Sequence, residues 1–374
     1  MHILYSTENL NTRRNLPFKN FFLENKGFEI LNIEITTSYK NFSINRLKLD
    51  LILIILKKIR ANYFLLKNLN KINQVESIIV VFPGIIDILF LKIFARKYRN
   101  KIIYDYFISI YQTIVEDRRL LRNRFLIKIL IKIEHFLLQL PSKIIVETEP
   151  IKRYLLKTFN QNLKISVIFT PVNENNFNFK KLQKYKEKSI DFIYWGTFIN
   201  LHGLEILLQA AKFKKDIYKI YLLGDGQEFQ KIYELKNNLG LNNIVFDKTL
   251  ISDNNKFEYF YSLLDSSKVV IGSLSDTNKN KIVITSKVME AAAMKMPVIT
   301  FYSDCIDLYS MQNIAYYINN SNIEELAAAM DKAVYETESN SNNQLVENSY
   351  NWFKKYGTIN KFNQDLLAFV KTLK

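Results

Sequence analysis

The residues best suited to chemistry lie in one stretch, Lys281–Thr300, with the sequence KIVITSKVMEAAAMKMPVIT. Thr285 and Ser286 are residue types that cap a helix N-terminus, so a helix is expected to begin there, with free amides able to hold an anion. Lys287 in the first turn would add a positive charge, although a lysine there opposes the helix dipole. Glu290 follows one turn later, and its two acceptor oxygens suit a vicinal diol such as a ribose. The ordinary alternative for Glu290 is a solvated helix glutamate.

Glycines occur where strands are expected to end and helices to begin. Gly196 ends one strand, Gly203 opens the next helix, and Gly224 ends the strand after it. A glycine at such a point lets a ligand approach the backbone and the amides of a helix N-terminus. Simple turn chemistry is the alternative explanation. The chain has only nine glycines and no G-x-G-x-x-G, Walker or G-x-S-x-G motif, which argues against dinucleotide binding and a serine hydrolase elbow.

Cysteine and histidine are scarce. The single cysteine, Cys305, excludes an intramolecular disulfide framework and a cysteine-rich zinc site. Three histidines, His2, His135 and His202, argue against a histidine-built metal centre. We therefore expect no metal site and a reducing compartment.

The hydrophobic pattern supplies a framework for these candidate residues. Short β-rich runs alternate with amphipathic helical segments along the whole chain, which predicts parallel sheets covered by helices. Six strands are expected in the first half, at His2–Ser6, Phe28–Ile35, Ser77–Phe82, Lys101–Tyr106, Lys143–Glu147 and Lys164–Thr170. Six more are expected in the second half, at Ile190–Gly196, Tyr218–Gly224, Asn243–Asp247, Lys268–Gly272, Pro297–Phe301 and Ile314–Ile318.

This pattern predicts an α/β fold of two facing Rossmann-like domains with a cleft between them. The first domain is expected at residues 1–172 and the second at residues 189–340, joined by a polar, lysine-rich linker at 173–188. Residues 341–374 are expected to form C-terminal helices that pack back toward the first domain. Because ligands bind at the carboxyl ends of parallel strands, the candidate residues should gather at that edge.

Three motifs in the second half occur in a specific order: YWGTFINLHGLEILLQAA (Tyr194–Ala211), LLGDGQE (Leu222–Glu228) and EAAAMKMPVI (Glu290–Ile299). Together they resemble the nucleotide-sugar domain of the family 4 (group 1) retaining glycosyltransferases, which adopt the GT-B fold. The first half matches that family more loosely, through MHILYS at the start, FPGIIDIL (Phe82–Leu89), DYFISIYQTIVEDR (Asp105–Arg118) and TPVNENNF (Thr170–Phe177).

The resemblance implies a nucleotide-sugar site formed by Gly196, Thr197, His202, Gly203, Gly224, Ser286, Lys287 and Glu290. Glu290 matches the family glutamate that contacts the nucleotide ribose, whereas Ile282 replaces a glutamate that contacts the donor sugar. Thr197 and His202 replace an arginine and a lysine that bind the diphosphate. His202, Lys287 and the helix amides would therefore share that role.

The candidate acid–base residue comes from the first half. Asp105 lies at the end of the predicted strand Lys101–Tyr106, and the resemblance places it roughly where family members carry a catalytic histidine or aspartate. An aspartate that caps the next segment is the alternative. The resemblance implies that residues 1–172 form the acceptor-side domain and residues 189–340 the nucleotide-sugar-binding domain. Asp117 and Arg118 are expected to line the acceptor side.

Charge is unevenly distributed along the chain. The formal net charge is +16; residues 1–180 carry 29 basic and 14 acidic side chains, and the remaining residues carry 23 and 22. Within the apolar segment 120–140, Arg124, Lys128 and Lys132 recur every four residues. Such a helix can lie in an anionic headgroup layer, although a core helix with a solvated basic edge is the alternative. No nucleic-acid motif is present, so no nucleic-acid partner is expected.

The sequence therefore predicts a metal-independent retaining glycosyltransferase. It would transfer a sugar from a nucleotide-diphosphate sugar to a glycan or lipid-linked acceptor in cell-surface polysaccharide or lipopolysaccharide assembly. The donor is a substrate, so no cofactor is expected. With no signal peptide and no apolar run of the ~18 residues that span a bilayer, the expected location is cytoplasmic, peripheral on the inner face of the plasma membrane. A catalytically weak or inactive nucleotide-sugar-binding scaffold and a nucleotide-sugar epimerase on the same fold are the alternatives.

Overall fold

A computed structural model describes residues 1–35, 47–117, 121–182, 188–249 and 257–373, without the side chains of residues 47–52 and Asp117. The chain forms two compact units. The N-terminal unit comprises Met1–Thr113, Leu121–Thr170 and Asn360–Lys374. The C-terminal unit comprises Pro171–Ile359 and a short segment that begins at Ile114.

Each unit is built on a six-stranded sheet in which every neighbouring pair is parallel. The N-terminal sheet has the order β2-β1-β3-β4-β5-β6, with strands β1 His2–Ser6, β2 Phe28–Asn32, β3 Ser77–Val80, β4 Ile102–Asp105, β5 Lys143–Val146 and β6 Ile165–Val167. The C-terminal sheet has the order β12-β11-β10-β7-β8-β9, with strands β7 Ile190–Trp195, β8 Ile220–Leu223, β9 Ile244–Asp247, β10 Ser267–Ile271, β11 Val298–Phe301 and β12 Tyr316–Ile318.

Helices connect successive strands in both units. Those of the N-terminal unit are α1 Asn15–Glu24, α2 Leu47–Leu69, α3 Ile85–Phe94, α4 Arg124–Leu138, α5 Glu149–Thr158 and the last helix of the chain, α14 Ile359–Lys371. Those of the C-terminal unit are α6 Leu204–Phe213, α7 Phe229–Leu239, α8 Phe257–Asp265, α9 Asn278–Ile282, α10 Ser286–Ala293, α11 Cys305–Leu308, α12 Ile323–Glu338 and α13 Asn343–Tyr356.

Continuous apolar runs explain why these strands lie inside. All four residues of β3 are buried, and so are the four residues of β11. A strand buried on both faces is typical of a parallel sheet that has helices on each side, since neither face meets water. The α/β fold class and its two sheets are confirmed, and each of the twelve predicted strands is present, with shorter or shifted ends at most of them.

The segments around the second unit differ in detail from the predicted layout. Within the predicted linker, Phe177 packs on Trp195 of β7, with ring centroids 6.4 Å apart. The C-terminal helix pair is divided between the units: α13 packs on α10, whereas Phe362 of α14 contacts Phe18 of α1. Helix α13 buries Trp352 and Phe353.

No helix in the described part of the chain is long and apolar enough to cross a membrane.

Candidate functional site

Three loops at the carboxyl edge of the C-terminal sheet pack closely because they meet at glycines. Gly196 follows β7 with φ +131°, and Gly224 follows its neighbour β8 with φ +137°. A Cβ on Gly224 would collide with the carbonyl oxygen of Gly196. Gly203, which precedes α6, lies so close to the loop after β10 that a Cβ there would be 2.8 Å from the amide nitrogen of Ser275. Side chains at these positions would separate the strand ends, so the glycines shape the edge.

Lys287 brings a buried positive charge to this edge. It lies in the first turn of α10, and only 3% of the residue is exposed. Its Nζ is 4.5 Å from the ring centroid of Tyr194, a cation–π contact, and a Cβ on Gly196 would be 3.3 Å from the same nitrogen. The charge is therefore held beside the backbone turn after β7. Desolvation and the helix dipole both oppose an ammonium in the first turn of a helix, and an anion bound beside it would offset these costs.

His202 lies beside Lys287 and is held by its Nδ1 atom. Nδ1 is 2.7 Å from the carbonyl oxygen of Thr197 and 2.5 Å from the hydroxyl of Tyr194. Because a carbonyl oxygen only accepts, Nδ1 carries the proton, which leaves Nε2 for a ligand. Desolvation of the ring and the positive charge of Lys287 lower the pKa of His202 well below its usual value. The neutral ring would have to gain a proton at Nε2 to bind a phosphate oxygen as a cation.

Glu290 is held by a residue that sequence reasoning did not single out. Its carboxylate is buried, with 7% of the residue exposed, and Oε2 accepts a hydrogen bond of 2.9 Å from Nε1 of Trp195. The contact joins α10 to the last residue of β7. Glu290 is therefore not the solvated helix glutamate of the alternative explanation. Trp195 stands immediately before Gly196 in the first motif. The sequence signal that could have indicated this contact is the indole N–H, which needs a hydrogen-bond acceptor when the ring is buried.

The N-terminus of α10 keeps an unsatisfied side chain. Thr285 occupies the N-cap position, but its hydroxyl makes no capping hydrogen bond, and its buried Oγ1 has no hydrogen-bond partner among the described residues. Ser286 is half-buried beside it, and Thr197 is exposed with its carbonyl turned to His202. Ile282, at the position of the missing glutamate, ends α9 and is partly buried.

Asp105 lies in the N-terminal unit and is fully buried at the end of β4. Both of its carboxylate oxygens accept hydrogen bonds from Arg14, with Nε at 3.1 and 3.0 Å. Arg14 also donates to the carbonyl of Ile168 and to Oγ1 of Thr170. A carboxylate engaged in this way holds the strand ends together and cannot take a proton from a substrate without breaking the ion pair. Asp105 is therefore engaged by Arg14 in a structural contact, and its assignment as the acid–base residue stays a prediction.

The side chains of the two predicted acceptor-side residues lie outside the described part of the chain. Arg118 lies outside the described residues, and Asp117 closes a π-helical segment at Gln112–Asp117 with its side chain also outside them. In the described part of the chain, no group of three or more histidine, cysteine, aspartate or glutamate side chains is arranged to hold a metal ion.

The C-terminal unit matches a known family model. Residues 174–352, which contain Lys287, His202, Glu290 and the glycine turns, match the model of the glycosyl transferases group 1. No curated protein matches the sequence significantly.

Solved structures share the whole fold at low sequence identity. A glycosyltransferase from Rickettsia africae ESF-5 has a TM-score of 0.67 and 17% identity, covering 100% of this chain and 98% of that one. Sucrose-phosphate synthase from Thermosynechococcus elongatus has a TM-score of 0.75 and 12% identity, covering 100% and 99%. Anabaena HepE in complex with UDP-glucose has a TM-score of 0.70 and 11% identity, covering 100% of both chains. The fold is GT-B, and the group 1 match together with these neighbours supports the predicted glycosyltransferase.

Proposed function

We propose that the protein is a retaining glycosyltransferase that uses a nucleotide-diphosphate sugar. Its acceptor would be a glycan or a lipid-linked glycan in the assembly of a cell-surface polysaccharide or lipopolysaccharide. The observation that carries the proposal is the grouping of Lys287, His202 and Glu290 around the glycine turns at one sheet edge. Lys287 is buried there, with 3% of the residue exposed.

The chemistry of these three side chains matches the parts of such a donor. Lys287 and a protonated His202 would bind the diphosphate, together with the first amides of α10. Glu290, fixed by Trp195, would accept hydrogen bonds from the ribose hydroxyls. Related folds bind this class of ligand, since HepE has been solved with UDP and with UDP-glucose.

Transfer with retention needs charge stabilisation at the leaving diphosphate. As the bond from the anomeric carbon to the diphosphate oxygen breaks, the acceptor hydroxyl attacks the same face of the sugar and its proton passes to the departing phosphate. Lys287 and the helix amides would stabilise the developing negative charge, because they are already in place before the reaction. No step requires Asp105, which is committed to Arg14.

Turnover of a donor panel tests this proposal. The purified protein is incubated with each of the common UDP-, GDP-, dTDP- and ADP-sugars, and release of the nucleoside diphosphate is measured with and without acceptor. NMR of the glycoside product gives its anomeric configuration. An inverted product would refute retention. Binding of a nucleotide sugar without hydrolysis or transfer to any acceptor would refute the proposal that the protein is an enzyme.

A second candidate is a nucleotide-sugar-binding scaffold, which Ile282 favours. Isoleucine supplies no carboxylate for the donor sugar, whereas the family has a glutamate there. If the scaffold is correct, nucleotides bind but Ile282→Glu creates no activity. If the enzyme is correct, the unmodified chain already turns the donor over.

The proposal includes peripheral attachment to an anionic membrane through α4. Phe125, Ile133 and Phe136 are 70%, 47% and 57% exposed, and Lys128 and Lys132 are exposed beside them. Large apolar side chains bordered by lysines suit a bilayer surface, since the rings enter the headgroup layer and the ammonium groups meet lipid phosphates.

Helix α2 carries the same combination of exposed residues in the same unit. Leu56 and Tyr63 are 57% and 62% exposed, and Lys57 and Arg60 are exposed beside them. An attachment through two helices would bind more tightly than one through α4 alone.

Sedimentation with vesicles tests the attachment. We expect the protein to sediment with phosphatidylglycerol-containing vesicles and to be released by salt, because charge attraction is screened within a Debye length. Reversing Lys128 and Lys132 to glutamate should weaken binding about tenfold or more, at about 1 kcal/mol per basic residue. Reversing the exposed Lys212 and Lys215 of the C-terminal unit makes the same change in net charge and should have little effect. Equal binding to neutral vesicles would contradict the proposal.

A further inference from the structure

A groove with a volume of about 570 Å³ runs along the outer edge of the C-terminal sheet. Its floor is β12, the last strand of that sheet, and its walls are α12 and the first turns of α13. The glycine turns of the proposed donor site follow β7 and β8, and β7 lies three strands away from β12, or roughly 14 Å at the usual strand spacing. None of the residues that line the groove belongs to the donor site, so the groove is a separate feature of this unit.

Small side chains keep the groove open. Ala328 and Ala329 lie on the face of α12 that borders it, and Ala315 immediately precedes β12. Ala328 is exposed, whereas Ala315 and Tyr316 are buried beneath the groove and Leu345 of α13 is half-buried beside them. The groove therefore has an apolar floor, and a large side chain in place of Ala328 would fill the space above it.

Uncharged amides supply the available hydrogen-bonding groups of the groove. They belong to Gln312, Asn313, Gln344 and Asn348. The side chain of Asn313 is exposed and makes no hydrogen bond with a described residue. Gln312 and Gln344 each donate through Nε2, to Asp307 and to Asn348, which leaves both of their side-chain oxygens as acceptors. Amides both donate and accept hydrogen bonds, so they match hydroxyl groups, which do the same.

The charged side chains of the groove are already engaged by other protein groups. Glu325 accepts hydrogen bonds from the turn at residues 319–320. Glu336 accepts a hydrogen bond of 2.8 Å from the hydroxyl of Tyr316 and lies 3.9 Å from the ammonium of Lys332. The structure describes this part of the chain without a gap. Two glutamates and one lysine leave no excess positive charge, so the groove favours a neutral ligand over a phosphate or a carboxylate, whose desolvation would not be repaid.

We propose that this groove binds a neutral saccharide, at a place separate from the donor site. Asn313 and the side-chain oxygens of Gln312 and Gln344 hydrogen-bond the sugar hydroxyls, and the apolar floor packs against the C–H faces of the rings. The volume is within the range of sites that bind small molecules. The inference rests on the proposed sugar transfer for the source of the saccharide: it would be a section of the glycan that the protein extends, away from the reacting end of that glycan.

Ligand-observed saturation-transfer NMR with the full chain tests the inference. The probes are maltotriose, cellotriose, mannotriose and triacetylchitotriose. We expect at least one to bind, and Ala328→Trp to weaken that binding about tenfold or more, because the indole occupies the groove. Asn313→Ala should weaken it about two- to tenfold, the net contribution of a hydrogen bond. The matched controls are Ala368→Trp, at an exposed alanine of α14, and Asn242→Ala, at an exposed asparagine of the same unit, and neither should change the binding.

Three outcomes would overturn the inference: no saccharide of the panel binds, binding survives Ala328→Trp, or UDP-glucose displaces the saccharide, which would place it in the donor site. Because β12 has a free edge, an extended peptide is the rival occupant. Loss of acetyl-tetraalanine amide binding in Ala328→Trp, with no saccharide bound by the unmodified chain, would favour the peptide and contradict our proposal.

Donor turnover is measured separately on the same preparations, and it should be unchanged in Ala328→Trp. Normal donor turnover without saccharide binding refutes the saccharide groove alone. Saccharide binding that Ala328→Trp removes, in a protein that binds no nucleotide sugar, refutes the proposed transferase and supports the groove.

Discussion

Replacing Lys287 with methionine removes the charge of the proposed diphosphate site while it keeps most of the side-chain volume. The residue is 3% exposed and lies over the ring of Tyr194, where a methionine can also pack. Charge-assisted hydrogen bonds contribute about 1.5–3 kcal/mol, which corresponds to a loss of roughly ten- to a hundredfold in affinity. We expect this loss for a nucleoside diphosphate and almost none for the free nucleoside, because only the former carries the anion.

The same variant should change a neighbouring titration. The positive charge of Lys287 contributes to the lowered pKa of His202, so Lys287→Met should raise that pKa toward its usual value. The chain has only three histidines, so the imidazole signals can be followed individually by NMR.

Isothermal titration calorimetry with nucleoside diphosphate and nucleoside gives the two affinities. Glu290→Gln is the complementary variant and should weaken both ligands, because the ribose is common to them. Lys281→Met, an exposed lysine on α9 that pairs with Asp276, is the matched control and should change neither. An unchanged diphosphate affinity in Lys287→Met, or equal losses for both ligands, would refute the assignment of Lys287 to the diphosphate.

Three further predictions concern the same unit. Desolvation, Lys287 and Lys279 lower the pKa of His202, so its ring is neutral in the unbound protein. Affinity for a nucleotide-diphosphate sugar should therefore rise as pH falls through that pKa. His202→Asn should abolish this pH dependence, which is measured by calorimetry. Trp195→Phe deletes the hydrogen-bond donor to Glu290, so it should weaken nucleoside binding and lower the free energy of unfolding, measured in denaturant, by about 1–3 kcal/mol. The control Trp352→Phe deletes a hydrogen bond to the Tyr309 carbonyl and should affect stability alone. A cavity of about 10 Å³ is lined by Ser273, Asn280 and Thr285, and each has a buried oxygen without a hydrogen-bond partner in the described part of the chain. A high-resolution crystal structure should therefore show one ordered water there, and an empty cavity would contradict this.

The alternating hydrophobic pattern determined the fold class and the strands, because burial of a parallel strand on both faces requires a continuous apolar run. All twelve strands could be predicted in this way. Local pattern also placed a helix start at Ser286 and turns at Gly196 and Gly224, since capping residues and glycines act within a few residues of their own position.

Local pattern did not determine which distant side chains meet. Arg14 and Asp105 are 91 residues apart, and Trp195 and Glu290 are 95 residues apart. The sequence left Asp105 as either an acid–base residue or a capping aspartate at a strand end, and Glu290 as a helix residue whose burial was open. The order of strands brings β1 beside β3 and β3 beside β4. Only this order decides that Arg14 reaches the end of β4 and pairs with Asp105.

The sequence by itself thus determined two parallel sheets and the residue types at their carboxyl edges. The tertiary structure decided which of those residues are engaged by others and which remain available: Asp105 is held by Arg14, whereas the hydroxyl of Thr285 has no described hydrogen-bond partner. The physical reason is that strand periodicity and capping are short-range properties, whereas an ion pair or a buried hydrogen bond depends on long-range crossovers between strands. Once the strands are in place, the free-energy cost of burying an unpaired charge determines which side chains pair with each other.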